Sequence, residues 1–294
     1  MKKDKKKKQK KQRPSGACAL CHQPAQLHDS HIISEFLYKE LYDAKHTYPL
    51  VEADPRKHGG PPPQQGIREY LLCGSCEQRF STWETYASGV FRTIITSLDG
   101  RQTAGRVRVN VEYEPFRLFL LSLLWRLNAT SHRLRGDLAL EHHAERIRQI
   151  LLSGTAPEPD QYPCILIALL LTEDGTFHPE LILPPSTNHL DAFQVIRVVI
   201  SGLVFMYFVP TEVPPTLSPL YLKRDGLLYI DVAPEEVIPA VFETRRRLGA
   251  SELLRDVVRI HRHLVQNEQA DSDAPVTLHF IGMDQLPEAD SDPS

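Results

Sequence analysis

Residues 69–77 read EYLLCGSCE, and residues 18–21, with 51 residues between Cys21 and Cys73, read CALC. Two C-x-x-C pairs have the spacing of a tetrahedral thiolate site, because each pair folds back as a knuckle and presents two soft sulfur ligands on one side. Cys18, Cys21, Cys73 and Cys76 are therefore expected to hold one structural Zn²⁺. The interval between the pairs is too long for a single small finger, but a hairpin and a helix would let both knuckles close on one ion. The fifth cysteine, Cys164, lies in the apolar run CILIALLL and reads as a small buried hydrophobe.

Working outward, the segment LHDSHIIS suits the end of a strand at residues 31–33. Ser34 reads as the N-cap of a short amphipathic helix over EFLYKELYDAK. Residues 49–66, with five prolines and three glycines, read as a loop inserted between the knuckles. GIREYLL should be a strand leading into Cys73, followed by a long helix over residues 75–95. Its buried face is set by Phe80, Trp83, Ala87, Val90, Phe91 and Ile94. A second helix over 114–129 is apolar most of the way round and should be central. A third, LEHHAERIRQILLSG, should end at Gly154.

GTAPEPDQYP then marks a domain boundary, beyond which CILIALLLTE, HPELILP, FQVIRVVISGLVFMYFV and LLYIDV read as β-rich. Two helices near 235–267 and a VTLHFIG strand complete the chain. The expected fold class is α+β. Residues 1–13 form an arm, 14–100 a zinc module, 101–154 a helical segment packed on it, 155–283 an α+β C-terminal domain, and 284–294 an acidic tail.

Chemistry around the knuckles would fall to Asp29, His31, Glu69, Glu77 and Glu84. Glu77 opens the helix after the second knuckle, and Glu84 follows seven residues on, at a similar azimuth. Hydrolysis of a phosphodiester needs a base to activate water and a divalent cation to stabilise charge on the leaving oxygen. A neutral histidine beside carboxylates meets both needs. His142-His143 on a helix reads as part of a solvated face. Neither that pair nor His261-x-His263 can aim both rings at one metal, and GRQTAGR lacks a phosphate-loop signature.

The order C-x-x-C, DSHII, then LLC-x-x-CE opening a helix resembles the zinc-knuckle branch of the HNH endonuclease superfamily, the ββα-metal fold. The segments SHIISEF, REYLLCGSCEQRFSTWE and LLWRL are also similar to uncharacterised bacterial HNH-like proteins with an SHII segment. The resemblance covers roughly residues 16–130. It implies a treble-clef zinc module in which the four cysteines form the structural zinc set and His31 is the general base. By it, Glu77 stands where the last ligand of the catalytic metal belongs. Ser30 stands where the family places an acidic or histidine ligand, so Asp29 is the expected substitute, with strand alternation pointing it to the side of His31. No asparagine lies between His31 and Cys73, and Glu69 is the expected orienting residue. Carboxylate ligands would suit Mg²⁺ or Mn²⁺. The implied function is a metal-dependent endonuclease acting on DNA. The alternative is a non-catalytic zinc module that binds nucleic acid or protein.

The net charge of −3 conceals an asymmetry. Residues 1–13 carry nine Lys/Arg and one Asp, leaving 25 basic and 36 acidic residues elsewhere. Such a like-charge block is expected to be a disordered arm. Its Lys5, Lys6, Lys7, Lys8, Lys10, Lys11 and Arg13 are candidates for phosphate contacts that displace counterions. The longest uncharged apolar run, residues 198–209, is 12 long, short of the roughly 20 needed to cross a membrane. The basic N-terminus is not followed by an apolar stretch, so a cytoplasmic protein is expected.

Overall fold

The computed structural model describes residues 13–42, 50–52, 65–132, 135–136, 138–171, 175–179, 181–190, 193–209, 215–239 and 279–281. Strand β1 (Ser15–Ala17), β2 (Pro24–His31), a 3-10 helix (Glu35–Leu41), β3 (Leu50–Glu52), β4 (Arg68–Cys73) and α1 (Gly74–Leu98) make up the N-terminal part. Then follow β5 (Gly105–Asn110), α2 (Tyr113–Ala129), α3 (His142–Ser153), β6 (Cys164–Leu170), β7 (Leu183–Leu190), β8 (Phe193–Ile200), β9 (Leu203–Val209), β10 (Leu227–Pro234) and β11 (His279–Ile281). The chain is α+β, with the cysteine pairs in its N-terminal region.

Strands β1, β2 and β4 form a small antiparallel sheet in the order β1-β2-β4, and α1 starts directly from the end of β4. Helix α1 buries Cys76, Phe80, Trp83, Ala87, Val90, Phe91, Ile94 and Leu98. This is one stripe recurring every three or four residues, as the sequence spacing requires. Helix α2 buries thirteen of its seventeen residues, so it is wrapped on nearly all sides.

The larger sheet has six strands in the order β5-β10-β6-β9-β8-β7. Only β10 and β6 run parallel; the other pairs are antiparallel. Alternate residues face opposite layers. Leu166, Ala168, Phe205 and Tyr207 join the main core with α1 and α2, whereas Ile165, Leu169, Val204 and Phe208 belong to smaller clusters. The Phe91 and Phe205 rings stack at 5.7 Å, and the Tyr207 hydroxyl donates to the Leu120 carbonyl at 2.9 Å. The run FQVIRVVISGLVFMYFV is a hairpin. Ser201 and Gly202, with φ of 53° and 70°, turn the chain between Ile200 and Leu203, the paired positive φ of a two-residue turn.

Several expectations need adjustment. Strand β5 falls in the expected helical segment 101–154, yet it pairs with β10 beyond residue 155. The main core likewise draws on both sides of residues 154/155. The segment after Ser34 is a 3-10 helix with no side-chain cap from Ser34. The loop 49–66 contains β3, which pairs in parallel with β11. His143 is buried rather than solvated, with Nδ1 3.0 Å from the Tyr162 hydroxyl, while His142 stays exposed. Within the expected helices at 235–267, a 3-10 turn (Glu235–Val237) is described; residues 240–267, the tail 284–294 and lysines 5–11 lie outside the described residues.

Candidate functional site

The first knuckle turns because the His22 amide donates to the Cys18 carbonyl at 2.8 Å, with His22 at φ 62°. The second is formed where β4 passes into α1. The two are joined by hydrogen bonds: the Ala19 amide donates to the Leu71 carbonyl at 3.0 Å, and the Cys73 amide points at the Cys18 sulfur at 3.2 Å. As a result the ligand atoms of Cys18, Cys21, Cys73 and Cys76 all lie within 4.8 Å of one another. Four sulfurs around a tetrahedral zinc at about 2.3 Å would be about 3.8 Å apart, and Cys21 Sγ to Cys73 Sγ is 3.8 Å. The donor set and spacing fit zinc.

Burial pushes the Cys18 and Cys76 thiols up. Burial also acts upward on Cys73, but hydrogen bonds led by the Ser75 hydroxyl outweigh it and bring that thiol to about 6. A thiolate is therefore available there near neutral pH. Helix α3 clamps the first knuckle from outside, because the Arg148 guanidinium donates to the Leu20 carbonyl and pairs with Glu145 at 2.7 Å.

The strand beside this centre carries the other expected residues. Ser30, not Asp29, faces α1: its hydroxyl donates to Glu77 Oε2 at 2.6 Å. Asp29 lies on the other side of β2, where its carboxylate meets Arg68 Nε at 3.2 Å. The expected Asp29–Glu77 metal pair is therefore not brought together. A register shift between His28 and Asp29 accompanies this arrangement. Among the described residues the four cysteines are the one group of three or more metal-capable side chains. Glu77 and the Ser30 hydroxyl are the oxygen groups that β2 and α1 bring together here.

His31 ends β2 and is partly buried. Burial holds its pKa below the ordinary histidine value and the Arg68 cation adds to this, outweighing the opposing carboxylates of Glu35 and Glu84. Its Nε2 lies 2.6 Å from Glu35 Oε2. Glu69, the expected orienting residue, is engaged elsewhere: it accepts from the Thr130 hydroxyl at 2.5 Å and from the Ser131 amide and hydroxyl at 3.0 and 2.7 Å. Glu35, at i+4 from His31, takes the place beside the imidazole. The 3-10 helix that opens at Glu35 puts it there.

Ser34 donates to Glu84 Oε1 at 2.6 Å, and Arg126 of α2 reaches Glu84 Oε1 at 2.6 Å. His28, on β2, lies against the start of α1, its Nε2 3.2 Å from where a side chain on Gly74 would begin. It also accepts from Arg13 at 2.9 Å, so the basic arm joins the body at this strand. The sequence reading passed over Glu35, Arg126 and His28. The helical offset from His31 was the available signal for Glu35, whereas Arg126 is more than ninety residues from His31 and Ser34.

No helix among the described residues is long and apolar enough to cross a membrane. No protein family, curated protein or solved structure matches the chain.

Proposed function

We propose that the chain is a metal-dependent phosphodiesterase of the HNH type acting on DNA, with a structural zinc under the active strand. The carrying observation is that Ser30, beside His31 at the end of β2, meets Glu77 at the start of α1, one residue after Cys76 of the cysteine cluster. His31, kept neutral by burial and Arg68, acts as general base toward a water, and the adjacent Glu35 carboxylate orients its ring. Glu77 and the Ser30 hydroxyl would hold Mg²⁺ or Mn²⁺, whose chemistry is to stabilise charge on the scissile phosphate and leaving oxygen. Arg13 and the arm it ends supply sequence-independent attraction for phosphate.

A second reading, a zinc module that binds nucleic acid or protein without cutting, is favoured by one observation. Ser30–Glu77 and Asp29–Arg68 satisfy one another internally. Supercoiled plasmid incubated with full-length protein and Mn²⁺ or Mg²⁺ separates the two, since only a nuclease nicks it and only in the presence of His31.

A further inference from the structure

Arg126 is almost wholly buried, with 3% of its side chain exposed. It projects from the central helix α2 into the place where β2 ends. Its Nη1 donates to the His31 carbonyl at 2.7 Å and meets Glu84 Oε1 at 2.6 Å, and its Nη2 donates to the Ser34 hydroxyl at 3.0 Å. Nε turns back to the Ser122 carbonyl at 3.3 Å, and the guanidinium lies over the Phe80 ring at 5.5 Å. Ser34 in turn donates to the same Glu84 oxygen, so β2, α1, α2 and the segment leading into the 3-10 helix meet at one cation.

We propose that Arg126 is the positioning residue of the site, fixing the His31 main chain and, through Ser34, the turn that carries Glu35 to the imidazole. The inference rests on the reading of His31 as general base. The planar fork meets the His31 carbonyl and Glu84 from one nitrogen and the Ser34 hydroxyl from the other, a rigid geometry that a single ammonium nitrogen on a flexible stem does not reproduce. A salt bridge serving stability alone would need only the Glu84 contact, and apolar residues often stabilise as well as a buried pair does. The additional bonds on both sides of Ile32-Ile33 show what the arginine geometry adds. Those two residues are themselves fully buried, so the segment is held by its side chains from within and by Arg126 at its ends.

The test uses the full-length, zinc-loaded protein and Arg126→Lys. Plasmid nicking should fall about tenfold or more in kcat with KM within about twofold, while the melting temperature stays within a few degrees. Wild-type kcat in Arg126→Lys would overturn the proposal. If the wild-type protein does not nick, the nuclease reading fails, and the structural arm decides positioning alone. There, amide exchange at residues 31–34 should be about tenfold faster in Arg126→Lys and the His31 imidazole resonances should move; unchanged exchange and resonances would overturn it. Should Arg126→Lys fail to fold, Ser34→Ala, which spares the Arg126–Glu84 pair, is read in the same two assays. A loss of about threefold in kcat or in exchange protection is then expected, and none would overturn the proposal.

Discussion

The Ser30 hydroxyl and the Glu77 carboxylate, 47 residues apart in sequence, meet at 2.6 Å across the gap between β2 and α1. A residue at position 30 therefore looks directly at the helix, and whatever occupies it determines what Glu77 can hold.

Replacing Ser30 with Asp would set two carboxylates face to face. Without divalent ions the like charges should lower the melting temperature and raise one carboxylate pKa. With Mn²⁺ the pair becomes a better ligand set, and calorimetric Mn²⁺ affinity should rise by about tenfold or more over wild type. Equal affinity in the two proteins would mean that position 30 does not face a cation site.

A zinc ion held by Cys18, Cys21, Cys73 and Cys76 would support the N-terminal sheet whatever the activity of the chain. Elemental analysis should give one zinc per chain, and Cys73→Ser should cost about 3–5 kcal/mol, a fall in Tm of roughly 10 °C. Zinc well below one per chain in chelator-free protein would contradict the assignment.

Arg148 should matter to zinc although it touches no sulfur. It braces the Leu20 carbonyl inside the first knuckle, and outer contacts of this kind change metal affinity by about 10–100-fold. Arg148→Ala should therefore surrender zinc to a competing chelator at about one-tenth the wild-type chelator concentration. An unchanged competition curve would assign Arg148 to surface pairing with Glu145 alone.

His143 gives a pH signature. Burial, reinforced by His142 and Arg146, holds its pKa below the unfolded value of about 6.5. The folded state thus binds the proton less readily than the unfolded state. The contribution of the neutral ring is intact above about pH 6.5 and is lost as pH falls below it toward the folded pKa. Thermal stability measured from pH 7.5 to 5 should drop less steeply in His143→Leu than in wild type. Parallel curves would show that His143 protonates freely in the fold.

Much of this arrangement is legible in sequence where one residue type has one physical solution. The paired cysteines leave few alternatives to a shared ion, and the Phe80–Leu98 stripe on α1 can be buried only on one side. The faces of β2 were harder to read. Both sides are partly covered, so hydropathy does not say which residue points at α1, and the shift at His28/Asp29 falls next to the residues in question. Strand β5, GRVRVN, alternates arginine with only two valines, and its partner β10 lies some 120 residues later. Glu35 lies beside His31 at a local i+4 offset, whereas the contacts of Arg126 with residues 31 and 34 come from tertiary placement, which local spacing does not encode.

Nicking of supercoiled plasmid by the full-length protein in Mn²⁺ or Mg²⁺, compared with His31→Ala and Glu77→Ala, tests the central claim most directly. The expected result is divalent-dependent conversion to open circles by the wild type, reduced at least about a hundredfold by either substitution. No nicking by zinc-loaded wild type, or nicking that both variants retain, would contradict it.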